Sequence, residues 1–135
     1  MATRLTPYLN FRDGTRAAME YYRSVFGGEL TVSTFGEMPG MDLAEAEKDK
    51  VLHSMLVVGS DMTLMAADVP TGMDVSPNGT LTLSGDDEDK LRGWWNALSS
   101  DGTVGVPLEK APWGDSFGMC VDRFGVAWMV NITGS

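Results

Sequence analysis

One histidine, one cysteine and ten methionines bound the chemistry open to this chain. An imidazole titrates near neutrality without special help, so His53 is the candidate for proton transfer or for a polar contact with a bound molecule. A single thiol, Cys120, excludes an internal disulfide and a multi-cysteine zinc site. It lies between Met119 and Val121 on an apolar stretch and reads as a core thiol, since a nucleophilic thiolate needs an electropositive, accessible setting. Methionine fills irregular space and adapts to varied ligands, so methionines that share one face of a sheet are candidates for lining a binding surface. Trp113 and Asp115 fall on a turn, where the indole either anchors the loop or stacks on a flat ligand. Asp13, Asp122 and the Asp86–Asp89 cluster are turn and cap types.

The elements that position these residues follow from composition and pattern. A length of 135 residues predicts one domain, 1–135, and ordinary hydrophobic (43%) and charged (21%) fractions rule out disorder. A formal net charge of −9 makes nucleic acid an unsuitable partner. No apolar run approaches about 18 residues, and no apolar stretch follows the first residues, so neither a membrane span nor a secretory signal is expected. The expected location is the cytoplasm.

The chain matches itself. Tyr8-Leu9-Asn10-Phe11 alternates like a half-buried strand. Asp13, Gly14 and Thr15 are turn and cap types, Ala17, Ala18, Tyr21, Tyr22 and Val25 share a helical face, and Gly27-Gly28 stops the helix. The second half repeats this order with Thr80-Leu81-Thr82-Leu83, the Asp86–Asp89 carboxylates at a helix N-terminus, the stripe Leu91, Trp94, Trp95 and Leu98, and Gly102. Three strands follow each helix, near 29–35, 51–58 and 61–67, then near 103–108, 116–121 and 126–132. The hairpins at Gly59-Ser60-Asp61 and Asp122-Arg123-Phe124-Gly125 align at an offset of 64 residues, pairing His53 with Phe117, Met55 with Met119 and Met65 with Met129. The stretch 36–50 has no counterpart and reads as an insertion. The stretch 68–79 reads as the linker between modules of approximately 4–67 and 78–132.

The fold class expected is therefore α+β: two βαβββ modules forming a cup-shaped, eight-stranded mixed sheet with helices on its outer face. Strand parity sends Leu9, Phe11, Leu52, Leu56, Leu64, Leu81, Leu83, Trp128 and Val130 under the helices. It sends Asn10, His53, Met55, Met65, Phe117, Met119 and Met129 to the opposite face, the candidate ligand-binding set together with Trp113.

Pro7-Tyr8-Leu9-Asn10-Phe11, Tyr21-Tyr22-Arg23-Ser24-Val25-Phe26-Gly27-Gly28-Glu29, Trp113-Gly114-Asp115-Ser116-Phe117-Gly118 and Asp122-Arg123-Phe124-Gly125-Val126-Ala127-Trp128 carry a resemblance. The chain resembles the vicinal oxygen chelate superfamily (glyoxalase, bleomycin resistance and extradiol dioxygenase proteins), and within it the PhnB-like, 3-demethylubiquinone methyltransferase-like subgroup. The resemblance implies a homodimer and a divalent metal held by four side chains, whose positions here fall on Thr6, His53, Asn78 and Met129. Of these only His53 suits Zn, Ni, Fe or Mn, and Met129 stands where a Glu is common. The expectation is a protein that binds an apolar or aromatic small molecule, with His53 as its polar handle and no cofactor. The alternative is a glyoxalase-, thiol-transferase- or dioxygenase-like metalloenzyme that uses His53. A third reading is a partner-binding domain whose cup is filled by its own methionines.

Overall fold

The computed structural model describes residues 6–37, 48–60, 62–69 and 78–134. The chain divides after Asn78 into two compact units, Met1–Asn78 and Gly79–Ser135. The first carries β1 (Tyr8–Phe11), α1 (Thr15–Phe26), β2 (Glu29–Thr34), a single 3-10 turn (Phe35–Glu37), β3 (Val51–Val58) and β4 (Met62–Asp68). The second carries β5 (Thr80–Gly85), α2 (Glu88–Ser100), β6 (Thr103–Lys110), β7 (Ser116–Val121) and β8 (Ala127–Ile132). Each unit is thus a βαβββ module, and the fold is α+β. The eight strands hydrogen-bond as two four-stranded mixed sheets, ordered β1-β4-β3-β2 and β5-β8-β7-β6. In each, the first strand runs parallel to the last and the other pairs are antiparallel.

In the first module α1 packs across β2, β3 and β4. Its buried face is Thr15, Ala18, Met19, Tyr22 and Phe26. The expected stripe is therefore rotated: Ala17 is exposed, while Met19 and Phe26, two polarizable or aromatic side chains of greater bulk, take the sheet-facing places. Leu9, Phe11, Leu56, Leu64 and Ala66 complete this core. Gly14, at φ +86°, starts the helix without a side-chain cap of its own. The carboxylate of Asp68 supplies one from β4, its Oδ1 accepting from the Thr15 N–H at 3.0 Å and its Oδ2 from the Val51 N–H at 2.8 Å. That bond satisfies a helix-end donor that otherwise has no intrahelical partner.

Leu52 departs from its expected place. Ser33 faces His53 but Thr34 faces Val51, so β3 carries an extra residue at Leu52. The bulge turns Val51 into the core, where it is 1% exposed, and leaves Leu52 half-buried. Leu81 is half-buried as well. Most of the expected insertion, 38–47, and most of the expected linker, 70–77, lie outside the described residues. The two ends of the insertion are pinned together, with Phe35 N–H donating to the Lys50 carbonyl at 3.0 Å and Gly36 N–H to the Lys48 carbonyl at 2.9 Å.

In the second module α2 packs across all four strands. Asp87 caps it, accepting from the Lys90 N–H at 3.1 Å. Leu91, Trp95 and Leu98 face the sheet; Trp94, about 100° around the helix, is half-buried with the Lys90 ammonium 5.6 Å from its ring. Gly118 admits the Trp95 indole, because a Cβ there would stand 2.9 Å from the ring and from the Leu108 backbone. Cys120 is 3% exposed, and burial, assisted by the Asp122 carboxylate, pushes its thiol above the usual value. It is a core thiol.

Asp115 holds the end of the second sheet. Its Oδ1 accepts from the Gly134 N–H at 2.9 Å and its Oδ2 from Asn131 Nδ2 at 3.2 Å. These bonds, the backbone one foremost, hold its carboxyl below the ordinary carboxylate range. A group depressed on folding contributes stability above its unfolded value and loses it as pH falls through the folded one. Asp115→Asn is therefore expected to lower the melting temperature at neutral pH and to leave it nearly unchanged at acid pH below the ordinary carboxylate range, so that the two profiles converge as pH falls.

Candidate ligand site

Alternation fixes which side chains leave the core. In the first module Leu9 and Phe11 are buried under α1, so Tyr8 and Asn10 point away from it. Beyond the bulge, Ser54 and Leu56 are buried, and His53 and Met55 point away. On β4, Leu64 and Ala66 are buried, and Met65 points away. Met55 and Met65 stand directly opposite each other across β3 and β4, Thr31 flanks Met55 on β2, and Tyr8 flanks Met65 on β1. His53 is two residues from Met55, with its imidazole 6.1 Å from the Tyr8 ring at 29°. The helix-free face thus carries a thioether pair and an imidazole stacked on a phenol. Tyr8 is missing from the expected set, although its parity with Asn10 on the same strand would have placed it there.

In the second module Met119 and Met129 are opposite each other, flanked by Val106 on β6 and Thr82 on β5. The Thr82 hydroxyl donates to Met129 Sδ at 3.9 Å. Phe117 faces Asn131 on β8 and Glu109 on β6. The two methionine pairs thus occupy the same ladder position of each module. Phe117 stands where the first module has His53. Trp113 lies in the β6–β7 turn, closed by an Ala111 N–H donating to the Asp115 carbonyl at 2.7 Å, and is 68% exposed.

The four positions implied for a divalent metal supply a hydroxyl, an imidazole, a carboxamide and a thioether. Thr6 precedes β1, and Asn78 has turned its carboxamide onto the backbone of Asn10: Oδ1 accepts from the Asn10 N–H at 2.7 Å and Nδ2 donates to the Asn10 carbonyl at 3.1 Å. That pair of bonds covers the free edge of β1, as another strand would. Met129 offers a thioether whose sulfur already accepts from Thr82. Its ladder counterpart in the first module is Met65, not His53. Among the described residues no three His, Cys, Asp or Glu side chains come together as a metal group. A hard divalent ion prefers nitrogen and oxygen donors, and these residues do not fit it.

The paired βαβββ modules define a class. A glyoxylase/bleomycin resistance protein/dioxygenase domain from Frankia sp. EAN1pec shares the fold at a TM-score of 0.66 and 13% identity, over 100% of this chain and 99% of that one. The fold is that of the glyoxalase/bleomycin resistance/dioxygenase superfamily. Within it the chain belongs to the PhnB-like family described as 3-demethylubiquinone-9 3-methyltransferase, whose sequence profile matches residues 3–131. It is 37% identical to protein PA1353 from Pseudomonas aeruginosa, with a TM-score of 0.86 over 99% of this chain and 100% of that structure. It is 30% identical to protein YjdN of Escherichia coli (strain K12) over 139 residues, 95% of this chain and 94% of that protein.

Proposed function

We propose that this chain binds a small apolar or aromatic molecule on the methionine-bearing faces of its sheets and does so without a divalent metal. The carrying observation is the Met55–Met65 pair, set opposite one another beside the Tyr8-stacked imidazole of His53. Ligand sites are apolar walls with a few placed polar groups, and this face has that composition. Met55, Met65, Met119, Met129 and Phe117 supply adaptable apolar surface, His53 and Asn10 the polar contacts, and Trp113 an exposed aromatic plane for a flat ligand. The methyl transfer in the family's description finds no support in the sheets, which lack the parallel switch point where a dinucleotide-type cofactor binds.

The protein acts as a homodimer in the cytoplasm on this reading. No helix among the described residues is long and apolar enough to cross a membrane. Val104, Val106 and Val121 of the second module are 40–45% exposed, apolar side chains available to a subunit contact. A monomer by light scattering across micromolar concentrations would contradict the dimer.

Binding of neutral aromatic compounds that carry one hydrogen-bonding group tests the main reading. His53→Ala is expected to weaken such compounds about five- to tenfold, the loss of one hydrogen bond, and to leave purely apolar ones nearly unchanged. Near-stoichiometric, tightly held divalent metal in the purified protein, lost in His53→Ala, would overturn the reading in favour of a metalloenzyme.

A further inference from the structure

His53, the one implied position that suits a divalent ion, shares its face with the Met55 and Met65 thioethers, and together they form a soft donor set. Thioether sulfur and neutral imidazole together select monovalent copper or silver over zinc, nickel or manganese. From the ladder of the first sheet we infer that Met55, Met65 and His53 form a binding site for a soft monovalent cation of the Cu(I)/Ag(I) class. This goes beyond small-molecule binding and does not rest on it.

The ladder register, the ring stack and the net charge carry the inference. Met55 and Met65 are directly opposite on neighbouring antiparallel strands, a relation that holds their Cβ atoms about 4.5–5.5 Å apart. His53 shares their face and lies diagonal to Met65, within about 7–8 Å on the same reckoning. The three flexible bonds of each methionine bring the sulfurs toward the imidazole without moving backbone. Tyr8, stacked on the imidazole, limits the orientations of its ring. The formal charge of −9 raises the local concentration of any cation.

The second module supplies its own control. Met119 and Met129 repeat the thioether pair, but Phe117 replaces the imidazole and the Thr82 hydroxyl already engages Met129 Sδ. It offers two sulfurs where the first module offers two sulfurs and a nitrogen. Soft-cation affinity is therefore assigned to the first module alone.

The test uses the full chain with Cys120→Ala throughout, so that the thiol cannot capture the ion. Silver(I) nitrate serves as a redox-inert probe, and Cu(I) is presented in competition with a chromophoric Cu(I) chelator. Binding of one equivalent is expected, with the methyl resonances of Met55 and Met65 shifted and those of Met119 and Met129 unmoved. Met55→Leu with Met65→Leu, which preserves apolar volume, and separately His53→Ala, are each expected to weaken the ion by about 10- to 100-fold or more, a range that outer contacts of metal sites alone command. Met119→Leu with Met129→Leu is expected to change nothing, and equimolar Zn(II) should not compete. Equal affinity in the Met55/Met65 variant, or equal shifts at both methionine pairs, would overturn the site. The metal-free methyl spectrum of each variant establishes that it is folded. Binding of apolar aromatic compounds by the ion-free Cys120→Ala protein, measured separately, distinguishes failure of the cation site from failure of the small-molecule reading.

Discussion

Asp122→Ala is expected to lower the free energy of unfolding by about 3–4 kcal/mol, the largest loss for any single polar side chain in the second module. Asp122 is 4% exposed and sits in the β7–β8 turn. Its Oδ1 accepts from the Phe124 N–H at 2.8 Å and the Val126 N–H at 3.1 Å, and its Oδ2 accepts from the Trp128 indole at 2.8 Å. Alanine removes all three acceptor contacts at once and leaves the donors in a site that water reaches poorly. Unmade buried hydrogen bonds cost about 1–3 kcal/mol apiece, with partial relaxation reducing the total. Asp122→Asn keeps an oxygen for the two backbone donors but presents an amide to the indole, so about 1–2 kcal/mol is expected. Urea unfolding of both variants checks the ranking. Equal losses would mean that the two backbone contacts contribute nothing beyond the Trp128 contact.

Gly28→Ala is expected to cost about 3–4 kcal/mol, from two separate causes. Gly28 adopts φ +95°, which L residues resist, and a Cβ there would run into the Val57 carbonyl oxygen. Gly102 makes the corresponding approach in the second module, where a Cβ would meet the Val121 carbonyl oxygen, but its φ is not in the left-handed region. Gly102→Ala therefore isolates the steric part and is expected to cost about 2–3 kcal/mol. Because both obstacles are backbone on a paired strand, neither can swing aside. A Gly28→Ala protein as stable as Gly102→Ala would show that the left-handed backbone carries no penalty there.

These two glycines show why the modules were legible in the sequence. Gly28 and Gly102, Met55 and Met119, and Met65 and Met129 hold equivalent places, and the strand alternation around them is regular enough to sort faces. Val57 and Val121 keep the 64-residue offset of the methionines, so the close approach of helix end to strand is repeated with them. The α+β class, both helices and the thioether pairs were readable for that reason.

What was not legible depends on contacts between distant residues or on breaks in period. Asp68 caps α1 from 53 residues away, and nothing local to either segment announces it. The bulge at Leu52 turns Val51 into the core and leaves Leu52 half-buried. Asn78 looks like a ligand position by motif, yet its amide is turned to the edge of β1, 68 residues away. The stacking of Tyr8 on His53 needs the tertiary neighbourhood of β1 and β3, which are not paired to each other. Sequence alternation places both rings on one face without saying that they meet.

Methionine-methyl NMR, with each resonance assigned by a Met→Leu variant, tests ligand binding on these faces most directly. Titration with a panel of neutral aromatic compounds is expected to shift Met55, Met65, Met119 and Met129. Met19, fully buried on the sheet-facing side of α1, should stay still. Shifts concentrated at Met19, or no shift at any of the four methionines across the panel, would contradict the assignment of these faces as the ligand site.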